Sequence, residues 1–388
     1  MDEDILLSEF TDTNRKMKKL LKIFIPITII LIIICLAFIT LYIIEVEKDD
    51  DDDDDKKDSD ENKDSDKKKD SLILNLWNEG NVKEKIIDYI NSTTVENSKE
   101  FIPKEDRIAV FDFDGTVYQE TAPTYLDLQL YLYRVLNDSN YQANSVQKNL
   151  TKDVFRFIET GYFPDNLSEP IYRESAKIFQ NMTVDEYDKY IKQFLNLPTE
   201  GFNNLKKGEA FYKPMKELIE LLQKNDFLVY IVSGSERFLV RAAIDKHINI
   251  PANYIIGSEA NIISSNQNNM DNLNYTFQID DDLIFDGEFI SKNLYMNKIY
   301  HIIREIGKKP VLSFGNSMGD AGMNNFAISN KKYKSMAFML LNDDIERENG
   351  NEEKANKMIK ICEDNNWVPI SMKKDWKTIY GDNVTKEK

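Results

Sequence analysis

Cysteine and histidine are scarce in this sequence. Its 388 residues include 2 cysteines, of which Cys35 lies inside an apolar run and Cys362 is isolated near the C-terminus. This spacing contains no CxxC zinc pattern and predicts no intrachain disulfide. Because His247 and His301 are the only histidines, histidine phosphatases, zincins and His-rich metal hydrolases are poor candidates.

Basic residues are also in the minority. There are 50 Lys and Arg residues against 67 Asp and Glu residues, which gives a formal net charge of -17, and no basic block occurs in the C-terminal two thirds. Nucleic-acid binding needs clustered Lys and Arg to neutralise phosphates, so no nucleic-acid partner is predicted. A small anionic substrate remains compatible with this charge if a metal ion inverts the local field.

One segment lacks charge altogether. Residues 23–44 read IFIPITIILIIICLAFITLYII, and these 22 residues are long enough to span a ~30 Å hydrocarbon core as a helix. A signal peptide is the alternative, but its apolar region is normally ~7–15 residues and ends at small residues, which Glu45-Val46-Glu47 does not supply. The sequence therefore predicts an uncleaved signal anchor that contacts the lipid bilayer.

The charges around this segment predict its orientation. Basic residues precede it in the predicted cytoplasmic tail, residues 1–22, and acidic residues follow it, so the positive-inside rule predicts a single-pass type II protein with a luminal or extracellular C-terminal part. Seven N-x-S/T sequons are weak support for that location and for a glycoprotein. They lie at Asn91, Asn137, Asn149, Asn166, Asn181, Asn274 and Asn383.

Residues 45–71 are predicted to be an acidic, disordered linker. Within them, residues 48–70 contain no apolar side chain, so they cannot bury a core and should be extended by self-repulsion. A calcium site in the aspartate run is the alternative, but the run lacks the glycine turn and the fixed ligand spacing of an EF-hand loop.

The remainder, residues 72–388, alternates β-branched runs with helical patterns, which predicts an α/β domain with a parallel sheet covered by helices. The runs at 107–113, 227–232 and 309–314 are apolar enough for strands that are buried on both faces. Residues 118–212 carry Tyr, Phe and Leu at helical spacing, which predicts an inserted helical subdomain.

Polar residues follow each of these three runs, as DGT, SGS and GNS. Parallel sheets bind ligands beyond the carboxyl ends of their strands, so all three groups should lie on one rim. Alternation along an extended chain places Asp112 and Asp114 on the same side, where two carboxylates can share a cation and Gly115 permits close approach. A solvated DxD pair is the alternative, but these carboxylates end a predicted buried strand.

The other two motifs favour an anion site and a metal site. Ser233 and Gly234 precede a helical pattern, where N–H groups and the helix dipole can hold an anion, although a simple helix cap is the alternative. Lys298 becomes a phosphate-ligand candidate only through its place just before the third strand, since lysine is usually a surface residue. In the loop after that strand, Asp320 and Asn316 are candidate metal ligands.

The same loop, GNSMG, matches the GxSxG elbow of serine hydrolases. That arrangement needs Ser, then an acid, then His in chain order, and no histidine follows His301. The serine-hydrolase interpretation is therefore disfavoured.

Together, DFDGT, a strand ending in SGS, a later lysine and a strand ending in GNSMGD resemble, in order and approximate spacing, the four motifs of the haloacid dehalogenase (HAD) superfamily of phosphohydrolases. The resemblance covers nearly all of residues 105–380. Residues 366–379 are similar to the end of an exported bacterial-type subgroup related to phosphoserine and phosphorylcholine phosphatases. It implies a HAD-like Rossmannoid sheet with helices on both faces and a helical cap at about 118–212.

The resemblance also implies a role for each motif residue. Asp112 would be the nucleophile that forms an aspartyl-phosphate, and Asp114 the general acid and base. The implied phosphate-binding residues are Thr116, Ser233, Gly234 and Lys298. The implied Mg²⁺ ligands are Asp112, Asp320, Asn316 and, through its backbone carbonyl, Asp114. A metal ion and a lysine make chemical sense there, because an anionic nucleophile must meet an anionic substrate.

Two features bear on affinity and specificity. Asn316 stands where many family members have an acidic residue, and an amide oxygen ligates Mg²⁺ without contributing charge. Glu120, Tyr118 and Tyr125 follow the first motif and are hypothesised to face the pocket and recognise a cationic head group, with ordinary core packing as the alternative.

The sequence thus predicts a membrane-anchored, Mg²⁺-dependent phosphomonoesterase for a small phosphocholine- or phosphoserine-like substrate. A catalytically silent HAD-fold binding domain at the cell surface is the alternative, although all motif positions are filled. A phosphotransferase would share every motif. A dehalogenase is disfavoured, because it needs neither Asp114 nor Mg²⁺.

Overall fold

The computed structural model describes residues 74–164 and 167–387. The predicted tail (1–22), membrane segment (23–44) and linker (45–71) lie outside these residues, as does the sequon at Asn166, so they stay predictions. Within the described ranges, no helix is long and apolar enough to cross a membrane.

The central sheet has seven strands in the order β5-β4-β3-β1-β6-β7-β8. All neighbouring pairs are parallel except β4 and β5. The strands are β1 (Ile108–Phe111), β3 (Leu228–Glu236), β4 (Ile255–Ser264), β5 (Leu283–Ser291), β6 (Leu312–Gly315), β7 (Met336–Leu341) and β8 (Val368–Ser371). A separate antiparallel pair joins β2 (Phe202–Asn203) to β9 (Thr385–Lys386). The predicted α/β fold with a mostly parallel sheet is confirmed.

Helices cover both faces of the sheet. Four of them fill the predicted insertion: α2 (Leu126–Leu136), α3 (Ser145–Thr160), α4 (Ser168–Lys177) and α5 (Val184–Leu195). The others in the described residues are α1 (Asn81–Thr94), α6 (Lys213–Lys224), α7 (Arg237–Ile244), α8 (Met296–Glu305), α9 (Ala321–Ile328), α10 (Glu352–Asn365) and α11 (Met372–Asp375). On β1, Ala109 and Phe111 join the core that includes α1 and α6, whereas Ile108 and Val110 join the core that includes α8 and α9.

Local sequence signals begin and end several of these helices. The Asn144 side chain accepts from the Gln147 N–H to begin α3, and Thr183 does the same with the Glu186 N–H to begin α5. Helix α3 ends at Gly161, whose φ of 65° is the left-handed conformation that glycine adopts at low cost.

The second predicted strand ends later than expected. Helix α7 begins only at Arg237, and Ser233 to Ser235 lie within β3. The pairing of β3 with β4 shifts register between Val232 and Glu236, which is the mark of a bulge. The strand therefore continues through the SGS motif, where the Ser258 hydroxyl of β4 donates to the Gly234 carbonyl at 2.6 Å, although these residues by themselves are typical of a helix cap.

Candidate active site

The motif residues meet at one end of the sheet because β3, β1 and β6 are adjacent and parallel. Asp112 and Asp114 follow β1, Ser235 lies at the end of β3, and Asp320 lies in the turn after β6. Helix α8 brings Lys298 to the same place, where it contacts both Asp112 and Asp320. The predicted common rim is thus present in the structure.

Lys298 is the centre of this cluster. Its Nζ donates to Asp112 Oδ1 at 2.5 Å and to Asp320 Oδ1 at 2.6 Å, and the Lys298 side chain is fully buried. Burial by itself lowers the pKa of Lys298, but the charges of Asp112 and Asp320 outweigh it and raise the pKa above its usual value. The lysine is therefore a permanent cation that holds the two carboxylates together.

Asp112 lies among like charges. Burial raises the pKa of its carboxyl well above the usual range, the Asp320 charge raises it further, and Lys298 opposes both effects. An ionised Asp112 needs more positive charge than Lys298 supplies, which is the electrostatic signature of a cation-binding carboxylate cluster.

Asp114 is fixed by two donors. The Ser235 hydroxyl donates to Asp114 Oδ2 at 2.6 Å, and the Leu126 N–H at the start of α2 donates to Asp114 Oδ1 at 3.0 Å. Burial, followed by the nearby charge of Asp127, raises the pKa of Asp114 to about 6. A carboxyl group with such a pKa can both give and take a proton near neutral pH.

The loop after β6 wraps around Asp320. Its Oδ2 accepts from the N–H groups of Asn316 and Ser317, both at 3.1 Å, and from the Ser317 hydroxyl at 3.2 Å. A Cβ at Gly315 would lie 2.5 Å from Asp320 Cβ, so only glycine allows this approach. Ser317 therefore acts as a loop-forming donor, in accord with the argument against a serine hydrolase.

Two predicted phosphate ligands lie below the cavity surface. The Thr116 hydroxyl is buried and has no hydrogen-bond partner among the described residues, and the Ser233 hydroxyl is buried and accepts from the Ser235 N–H at 2.9 Å. Gly234 and Ser235 line the cavity instead. Phosphate binding by Thr116, Ser233, Gly234 and Lys298 stays a prediction.

The three residues expected to recognise a cationic head group behave differently. Tyr118 is fully buried, stacks on Phe113 with ring centroids 5.0 Å apart and donates to the Lys207 carbonyl at 2.7 Å, so its predicted place in the pocket is wrong. Tyr125 does line the cavity. Glu120 accepts a hydrogen bond from Asn316 Nδ2, and burial, helped by the Asp114 charge, raises its pKa to about 7.

The donor set fits Mg²⁺. Asp112, Asp320 and Asn316 offer carboxylate and amide oxygens at one rim, Asp114 adds its backbone carbonyl, and Mg²⁺ prefers such hard oxygen ligands. A second group of metal-ligand type, Glu259, His301 and Glu305, lies elsewhere on β4 and α8. There Arg237 Nη2 donates to both glutamates, at 2.8 and 2.6 Å. The guanidinium group therefore occupies the place that a metal ion would take between them.

The cavity above these residues measures about 370 Å³. Its walls come from the insertion and from the segment between β5 and α8, and include Tyr125, Asp127, Phe163, Tyr172, Lys292 and Tyr295. Lys292 Nζ contacts Asp127 Oδ2 at 2.8 Å and lies 4.4 Å from the centre of the Tyr172 ring. The sequence analysis missed Asp127 and Lys292, because neither belongs to a motif and they are 165 residues apart.

Comparison with known proteins identifies the family. The model of the haloacid dehalogenase-like hydrolases matches residues 109–323, which contain all the motif residues described above. The chain belongs to this family. The family resemblance and the hydrolase class predicted for this HAD-like protein are therefore confirmed.

The solved structures that resemble this chain do so at low sequence identity. A conserved protein of unknown function from Anaerococcus prevotii DSM 20548 is 14% identical with a TM-score of 0.50, and the match covers 82% of this chain and 98% of that one. A phosphoserine phosphohydrolase-like protein from Francisella tularensis is 16% identical with a TM-score of 0.35, covering 65% and 92%. Cytosolic 5'-nucleotidase IIIB bound to cytidine is 13% identical with a TM-score of 0.43, covering 75% and 84%. No curated protein sequence matches the chain.

Proposed function

We propose that this HAD-family hydrolase is a Mg²⁺-dependent phosphomonoesterase that works through an aspartyl-phosphate. The observation that carries the proposal is the buried Lys298 bridge between Asp112 and Asp320, with the separately held Asp114 beside it. This arrangement provides a nucleophile, a cation for the phosphoryl group and an acid with a pKa of about 6 on one rim.

The reaction follows from these positions. A carboxylate oxygen of Asp112 attacks phosphorus while the bond from phosphorus to the ester oxygen breaks, and Asp114 gives its proton to the leaving oxygen. Asp114 then takes a proton from water, whose oxygen attacks the phosphorus of the aspartyl-phosphate and releases phosphate and Asp112. Lys298 keeps Asp112 oriented and offsets negative charge. Mg²⁺ held by Asp112, Asp114, Asp320 and Asn316 would neutralise the repulsion between carboxylate and phosphate.

The cavity walls support a small substrate with a charged leaving group. Asp114, the proposed acid, must contact the leaving oxygen. The leaving group should therefore lie near Asp127 and Lys292, whose charges both act on Asp114. The Asp127 carboxylate and the neighbouring Lys292 ammonium match a leaving alcohol that itself carries both an ammonium and a carboxylate group. Of the two predicted substrate types, this favours a phosphoserine-like one over a phosphocholine-like one.

Membrane attachment is also part of the proposal. The uncharged segment 23–44, with basic residues before it and acidic residues after it, supports a type II anchor that places the hydrolase domain on the luminal or extracellular side.

The test is phosphate release by the purified full-length chain in detergent from p-nitrophenyl phosphate, phosphoserine and phosphocholine, with Mg²⁺ or EDTA. We expect Mg²⁺-dependent release that falls at least 10³-fold in Asp112→Asn, as expected when a covalent nucleophile is lost. Asp185→Asn, on the exposed start of α5, is the matched control and should keep full activity.

Two further results bear on this proposal. Lys292→Met should raise KM for phosphoserine about tenfold while p-nitrophenyl phosphate hydrolysis changes little, since a hydrogen bond to a charged group contributes ~1.5–3 kcal/mol. A folded, Mg²⁺-binding chain that releases no phosphate from any of the three esters would instead support the silent binding domain.

A further inference from the structure

The contact between Glu120 and Asn316 gives the metal site a feature of its own. Asn316 Nδ2 donates to Glu120 Oε2, so the NH₂ group of the amide faces the carboxylate. The amide oxygen Oδ1 is the other arm of the same planar group. Asn316 Oδ1 must therefore point away from Glu120.

The backbone around this contact is shaped to allow it. Gly115 has a φ of 76°, and a Cβ built there would overlap both Asn316 Nδ2 and Glu120 Oε2. The contact therefore lies directly over the bare backbone of the first motif, between Asp114 and Thr116. Any other residue at Gly115 would separate Glu120 from Asn316.

Asn316 is held from two sides. Its backbone N–H donates to Asp320 Oδ2 at 3.1 Å, and its side chain is held by Glu120. The Tyr125 hydroxyl lies beside the same Glu120 carboxylate, which limits where that carboxylate can move. A rotation of the Asn316 amide would break the contact with Glu120.

We propose that Glu120 is a positioning residue for the metal site: by holding Asn316 Nδ2, it turns Asn316 Oδ1 toward the cation. The inference rests on the proposed Mg²⁺-dependent function. Groups that orient a metal ligand in this way typically change metal affinity 10–100-fold.

The test is calorimetric titration of the full-length chain with MgCl₂ alone, without substrate. Glu120→Ala should weaken the Kd for Mg²⁺ by 10–100-fold, because it removes the contact that orients the Asn316 amide. In the double variant Glu120→Ala/Asn316→Asp either carboxylate oxygen can face the cation without being turned, and the Kd should return to within about threefold of wild type. Glu209→Ala, at an exposed glutamate in the short turn before α6, is the matched control and should bind like wild type.

The outcomes separate this inference from the proposed function. If wild type binds Mg²⁺ and Glu120→Ala binds it equally well, the positioning role is wrong while the metal site stands. An unchanged Kd with a higher KM for phosphoserine would make Glu120 a substrate contact instead. If wild type itself binds no Mg²⁺, the metal requirement fails and the inference fails with it.

A shorter carboxylate guards against a variant that does not fold. Glu120→Asp keeps the carboxyl group but withdraws it by one methylene from Asn316. We expect its Kd for Mg²⁺ to be at least threefold weaker than that of wild type, and wild-type affinity in this variant would overturn the positioning role.

Discussion

The hydrogen bond from Ser235 to Asp114 is a contact on which catalysis should depend. At 2.6 Å it is the shorter of the two bonds that hold the Asp114 carboxyl, and the other comes from the backbone of Leu126. Without Ser235 the carboxyl keeps one fixed oxygen and can rotate about it. A general acid must stay within hydrogen-bond reach of the leaving oxygen, so this rotation should slow the reaction.

We therefore expect Ser235→Ala to lower kcat for p-nitrophenyl phosphate by about tenfold or more, which corresponds to a loss of ~1.4 kcal/mol of transition-state stabilisation. The measurement is steady-state kinetics, with urea unfolding to show that the variant is folded. Ser235→Thr, which keeps a hydroxyl group, serves as the control and should recover part of the rate. Wild-type kcat in Ser235→Ala would remove Ser235 from the catalytic arrangement.

At the scale of elements, the junction between β3 and α7 contains a titratable group. Glu236 ends β3 and its carboxyl accepts from the N–H groups of Phe238 and Leu239 at 3.0 and 2.9 Å, which caps α7. Burial raises the pKa of Glu236 to about 7 even though both N–H groups lower it. The folded protein thus keeps this carboxyl protonated up to a higher pH than the unfolded chain does.

The sign of the pH effect follows from this shift. Below the unfolded pKa of about 4.5, Glu236 is protonated in both states and its full contribution to stability is present. Between about 4.5 and 7 the unfolded chain loses the proton first, so this contribution falls as pH rises. We expect Glu236→Gln to change stability little at pH 5 and to be more stable than wild type at pH 8, by on the order of 2 kcal/mol.

Urea unfolding of both chains from pH 5 to 8 checks this expectation. Because the active-site carboxyls titrate in both proteins, the difference between the two curves isolates Glu236. Parallel curves would show that the carboxyl is ionised normally at this junction.

At the scale of the whole molecule, three phenylalanines connect the centre of the sheet. The register pairs Phe111 of β1 with Phe314 of β6, and Phe314 with Phe338 of β7. Their rings stack with centroids 4.2 and 4.7 Å apart, and all three are buried. Because β1 and β6 also carry Asp112 and Asn316 at their ends, this stack supports the site from below.

Phe314→Ala should lower the free energy of unfolding by about 3–5 kcal/mol, since it leaves a cavity between two rings that cannot close the gap. Urea unfolding measures the effect. Phe277→Ala, at a side chain that is 56% exposed, is the matched control and should change stability by less than about 0.5 kcal/mol. A loss below about 1 kcal/mol in Phe314→Ala would mean that the core around β6 repacks.

Much of the site was predictable because its signals are local. A buried strand followed by polar residues reads directly from the sequence, and parallel strands must deliver their ends to one edge. On that basis Asp112, Asp114, Asn316 and Asp320 were expected on one rim, and the structure places them there. The membrane segment depends on local hydropathy alone and stays a prediction from sequence.

Contacts between distant segments decided those parts of the site that local sequence signals do not predict. Asp127 and Lys292 meet across 165 residues, and Ser258 of β4 donates a hydrogen bond to the Gly234 carbonyl where β3 continues through the SGS motif. Tyr118 and Tyr125 are both aromatic and close in sequence, yet packing against Phe113 buries one while the other lines the cavity. The residue types determined which groups can do chemistry, whereas the packing of the insertion against the sheet decided which of them face the cavity, because burial is a property of the assembled chain.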